Sequence, residues 1–64
     1  MEFKIGMKFC GKWLRGEVEV IGIDSENNIL NVEIHNVNIN SYTEEWNLQH
    51  TIWGFENKEY RLLE

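Results

Sequence analysis

The sequence predicts a small, mainly β domain: a curled antiparallel sheet or small barrel with one short helix, in the order β-β-β-β-α-β. Three observations carry this. Apolar residues alternate with polar ones in short runs (Phe3/Ile5/Met7/Phe9, Val18/Val20 and Leu30/Val32/Ile34), the period of half-buried strands. Turn-forming residues separate these runs at short intervals. Only one stretch, after Asn47, repeats its apolar residues at helical spacing.

Each element follows in chain order. MEFKIGMKF reads as the first strand, and CGKWLRG as a loop or an irregular continuation of it. EVEVIGID, residues 17–24, is the second strand. Its alternation breaks at Ile21-Gly22-Ile23, and a glycine inside a strand marks a bulge or bend. Residues 24–28 (DSENN) are a turn by composition. ILNVEIHNV returns as the third strand, with Leu30, Val32 and Ile34 inward and Asn31, Glu33 and His35 outward. NVNIN, residues 36–40, is a second tight turn. SYTEEWN fits a capping box at Ser41/Glu44 and also a strand pairing Tyr42 with Trp46 on one face. The strand, at 41–46, is preferred, because Glu44 and Glu45 would occupy the apolar positions of a helix. Asn47 is a good N-cap for a helix at about 48–56, where Leu48, Ile52 and Phe55 form one stripe. EYRLL is the last strand.

The chain has 64 residues, so a single domain, residues 1–64, is expected. A domain of this size is marginally stable and has one cysteine, so no disulfide of its own. Three Trp, three Phe and two Tyr supply the material for an aromatic core. The alternating N-terminus lacks the apolar run and small-residue cleavage site of a signal peptide, and no stretch is long enough to span a membrane. A cytoplasmic location is the expectation.

The opening Ile5-Gly6-Met7-Lys8-Phe9, then Val18-x-Val20 and Leu30-x-Val32-x-Ile34, with a short helix before the last strand, resembles SH3-like small β-barrels. The resemblance is to a fold and implies no fixed activity. It does imply that the loop between the first two strands lines a binding face. The ending WNLQHTIWGFENKEYRL resembles the C-terminal pattern of small proteins of bacterial phages and mobile elements.

Charge is uneven. Residues 1–16 carry four cations against Glu2, and residues 17–64 carry ten acids against Lys58 and Arg61, for a net −5. Long nucleic acid is disfavoured, since its affinity rests on neutralising many phosphates. Zinc needs about four ligands in fixed geometry, and Cys10, His35 and His50 show no paired spacing. No metal and no cofactor is expected. Carboxylate pairs at Glu17/Glu19, Glu44/Glu45 and Glu56/Glu59 lie on solvent sides or beside turns, without the enclosure that separates catalytic pKa values. No catalytic residue is expected, and the chain is not read as an enzyme.

Two constellations remain. In CGKWLRG, Trp13 could stack on a flat ligand with Lys12 and Arg15 meeting an anion, or Trp13 and Leu14 could turn inward with the cations snorkelling. On the helix, His50 and Trp53 project away from the Leu48/Ile52/Phe55 stripe, either lying over the core edge or serving as a contact surface. The expected function is a non-catalytic binding module. It would dock a protein partner, as a homodimer, through Trp13, Arg15, Tyr42, Trp46, His50 and Trp53, with Lys12 and Arg15 as a cationic rim. The alternative is a binder of a small anionic ligand such as a nucleotide, as in a phage-type inhibitor or sequestering protein. It would use Trp13 and Trp53 for stacking and Lys12, Arg15 and His50 for phosphate. A nucleic-acid-binding barrel is a third, less favoured option.

Overall fold

The alternation of EVEVIGID and ILNVEIH becomes the central hairpin of one five-stranded antiparallel sheet. The computed structural model describes residues 2–12, 14, 16–36 and 38–63. Its elements are β1 (Lys8–Gly11), β2 (Glu17–Asp24), β3 (Ile29–His35), β4 (Tyr42–Asn47), α1 (Leu48–Glu56) and β5 (Tyr60–Leu63). The spatial order is β4-β3-β2-β1-β5, so β4 and β5 are the two edges and α1 carries the chain from one to the other.

The predicted bulge sets the register of the hairpin. Gly22 pairs with Asn31, and Val20 pairs with Val32, leaving Ile21 as the extra residue. Without that residue Val20 would oppose Glu33 and Val18 would oppose His35, mixing apolar and charged side chains on one face. With it, Val18, Val20, Val32 and Ile34 all turn inward, and Val18, Val20, Leu30 and Val32 are fully buried.

The sheet is the curled form of the two predicted architectures. Among the described residues β4 and β5 are not paired, so no barrel closes. Yet their inward side chains meet. In a flat sheet the two edges would stand four strand spacings apart, about 19 Å. The Trp46 (β4) and Tyr60 (β5) ring centroids are 6.0 Å apart. Phe9 of β1 fills the space between them, at 5.9 Å from Trp46, 5.5 Å from Tyr60 and 4.9 Å from Phe55 of α1. This aromatic column does the work that strand pairing does in a closed barrel.

The helix is held at both ends by asparagines and a backbone cap. Asn47 accepts from the backbone N–H of His50 at 2.9 Å, as expected of an N-cap. Asn28, in the β2–β3 turn, adds a second cap. Its left-handed φ of 59° presents its carbonyl to Leu48 N–H (2.9 Å) and its side-chain oxygen to Gln49 N–H (3.0 Å). At the other end Glu59 N–H donates to Gly54 C=O and Lys58 N–H to Phe55 C=O, with Lys58 at φ 62°. That is a Schellman ending with lysine where glycine is usual.

The N-terminal stretch departs from the expected strand. β1 begins only at Lys8 and runs on through Cys10 and Gly11, so the start of CGKWLRG takes the strand-continuation alternative rather than the loop. Ahead of it the chain turns at Gly6 (φ 97°), with Met7 N–H donating to Lys4 C=O. Phe3 is buried under α1 against Phe55, while Ile5 is 72% exposed instead of facing inward. The turn breaks the period of two that the composition suggests.

A groove between beta4 and the first loop

CGKWLRG is anchored at both ends by close backbone approach. A Cβ on Gly11 would meet the Tyr60 ring and Glu59 C=O, and one on Gly16 would meet the His35 carbonyl. The two glycines therefore let this segment lie against β5 on one side and β3 on the other. Leu14, half-buried, packs against the core and holds its middle. Trp13 and Arg15, both predicted contact residues, lie outside the described residues.

Leu14 forms one wall of a groove of about 760 Å³. The other wall is the inward row of β3 and β4: Ile34, Tyr42, Glu44 and Trp46, with Ile39 from the β3–β4 connection at one end. Asn36 and Asn38 complete its rim. Tyr42 and Ile39 are exposed, at 43% and 57%, while Ile34 forms a buried floor. Trp46 serves both groove and core. It is half-buried against Phe9 and Tyr60, and its indole N–H donates to Glu44 Oε1 at 3.0 Å.

Glu44 is the unexpected member. Tyr42, Glu44 and Trp46 share one face of β4, because Glu44 pairs with the fully buried Val32. A carboxylate thus stands in a row otherwise made of aromatic and aliphatic groups, on an edge strand whose outer side pairs with no other strand among the described residues. The alternation of SYTEEWN contains this placement once the strand reading is taken, but Ile34, Ile39 and Leu14 were not identifiable as its neighbours without the fold.

The remaining predicted residues fall elsewhere. His50 and Trp53 line a separate recess of about 510 Å³ on α1, with Gln49, Ile52 and Glu56, and it shares no residue with the groove. Trp53 is 59% exposed. Lys12 lies in a third recess, about 320 Å³, with Cys10, Tyr60, Lys58 and Arg61. There Arg61 Nε donates to Cys10 Sγ at 3.3 Å, and that bond raises the guanidinium pKa. The Tyr60 phenol is also pushed up, by burial first and by Glu59 second.

Comparison with protein-family models, characterised proteins and solved structures finds no match. Of these recesses, the groove between β4 and Leu14 combines an aromatic wall, a charged group set among apolar ones and an edge strand. Lys12 is placed apart from it, and His50 and Trp53 are on the helix, so the described members of the predicted surface divide into three places.

Proposed function

We propose that this chain is a non-catalytic docking module that holds an extended, positively charged segment of a partner protein along β4. The observation that carries the reading is Glu44 on the inward row of an edge strand, between Tyr42 and Trp46. An extended segment can add to a free strand edge by main-chain hydrogen bonds, while its alternate side chains enter the groove. A lysine or arginine entering there would meet the Glu44 carboxylate and the faces of Tyr42 and Trp46, a charge-assisted and cation–π setting. The −8 balance of residues 17–64 draws such a partner in at long range. A peptide-display selection against the immobilised chain tests this. It is expected to enrich sequences with Lys or Arg flanked by apolar residues at alternate positions, and Glu44→Gln is expected to lose them. Enrichment of acidic peptides, or of peptides indifferent to Glu44→Gln, contradicts the reading.

Self-association is a second form of docking, favoured by the exposed Trp53 and its recess. It predicts a light-scattering mass of twice 7.7 kDa at micromolar concentration, halved by Trp53→Ala. A small anionic ligand is favoured by a different observation. Lys12, Lys58 and Arg61, three of the six cations in the chain, line one recess. Titration with inorganic phosphate and nucleotides, read at the Lys12 and Arg61 amides, would show it. Silence there, in wild type, removes it.

A further inference from the structure

On the outer face of the central hairpin, we propose that Glu19, Glu33 and His35 form a surface site for a divalent metal ion of the zinc class. The bulge that aligns the core also aligns these three. Glu19 pairs directly with Glu33 across the β2–β3 ladder, and His35 pairs with Glu17 one step along the same face. Two carboxylates directly opposite one another repel. Between them sits His35 Nε2, 3.2 Å from Glu19 Oε1 and 3.3 Å from Glu33 Oε1. On the far side of the ring, His35 Nδ1 is 3.0 Å from Ser41 Oγ.

This arrangement can hold a cation at its centre. Without a metal, an Nε2–H can donate to Glu19 at this distance. In the other tautomer, with Nδ1–H donating to the Ser41 hydroxyl, Nε2 offers its lone pair beside the two carboxylate oxygens, and a metal ion would take the place of the bridging proton. A hydrogen-bonded Nδ1 is also what fixes a metal-ligating imidazole in its tautomer. Metal–ligand bonds of about 2.0–2.2 Å at octahedral or tetrahedral angles place neighbouring donor atoms roughly 2.8–3.6 Å apart. Both His–Glu separations fall in that range, and all three donor atoms lie within 4.8 Å of one another.

The surroundings fit the same ion. Lys8 pairs with Glu19 and Thr43 with Glu33, yet among the described residues the only ion pairs are the two at His35. Among the described residues no lysine or arginine is ion-paired with the carboxylates, and Glu17 adds further negative charge. The three side chains are 28–38% exposed, leaving coordination positions for water or for a group from a partner. A cavity of about 380 Å³ lined by Gly16, Glu17, His35, Asn36 and Ser41 adjoins the ring. One imidazole and two carboxylates with open positions suit Zn²⁺ and its first-row neighbours better than Ca²⁺ or Mg²⁺.

The test is titration of the full chain with Zn²⁺ at neutral pH, by calorimetry and by the imidazole nitrogen resonances in NMR. One ion per chain is expected, with micromolar affinity. Nε2 of His35 should shift while His50 stays in place. His35→Ala and Glu33→Gln should each weaken binding by at least about 10-fold, and Ser41→Ala by about 10-fold. Circular dichroism checks that these outer-face variants fold. If one does not, the wild-type His35 shift decides alone. No shift of His35 Nε2 at saturating zinc, or binding that persists unchanged in His35→Ala, overturns the site.

Discussion

The contact between Trp46 and Tyr60 can be measured as an energy. Their centroids are 6.0 Å apart although they sit on opposite edges of the sheet. The perturbation is a double-mutant cycle: Trp46→Leu, Tyr60→Leu and the pair, each keeping an apolar side chain but removing a ring. Aromatic pairs at this separation contribute about 0.5–1.5 kcal/mol beyond the area they bury. Sites more than about 7–10 Å apart without a shared partner add within ~0.3–0.5 kcal/mol. A flat or loosely open sheet, with edges about 19 Å apart, therefore predicts no coupling. The curled sheet predicts coupling of about 1 kcal/mol, reinforced because Phe9 touches both rings. Urea denaturation reads it, since a domain of this size has a total stability of roughly 3–10 kcal/mol. Each single variant should lower the melting temperature by about 4–8 °C per kcal/mol lost. Coupling indistinguishable from zero would refute the aromatic closure of the sheet.

Three further outcomes follow from local chemistry. Asn47→Ala removes the acceptor for His50 N–H and the partner of the Asn28 amide, and should cost about 1–2 kcal/mol in a denaturant melt. Lys58→Gly should do the reverse, stabilising by roughly 0.5–1 kcal/mol, because only the left-handed backbone at φ 62° is strained there. The Asp24 carboxyl is held below its usual 3.8 by the Asn27 side chain first and the Asn27 backbone N–H second. A depressed pKa contributes stability above the unfolded value and loses it as pH falls through the folded one. An NMR titration should therefore give Asp24 a midpoint below 3.8, and a midpoint at or above it would show that the turn hydrogen bonds are not formed.

Much of this fold was legible in the sequence because its signals are local. The alternation in β2 and β3, the break at Gly22 and the Asn47 cap each depend on residues within a few positions. The N-terminal stretch misled because its period of two is interrupted by a turn at Gly6. The helix's second cap, from Asn28, and the meeting of Trp46 with Tyr60 depend on residues brought together from distant segments. The candidate sites divide in the same way. Tyr42 and Trp46 share a face by strand alternation, so their association was visible. That Leu14, Ile34 and Ile39 complete their groove was not. Nor was the Glu19–Glu33–His35 cluster, because its members come together only through a register shifted by one residue at the bulge.

The central claim is that the groove along β4 receives a basic extended segment. It is tested most directly by ¹H–¹⁵N spectra of the chain during titration with a synthetic peptide that alternates apolar residues with a central arginine. The account predicts perturbations at Leu14, Ile34, Ile39 and Tyr42 through Trp46. It also predicts about 10-fold weaker binding for Glu44→Gln, the loss of one charge-assisted contact. Perturbations confined to Gln49 through Glu56, or none at all at millimolar peptide, would contradict it.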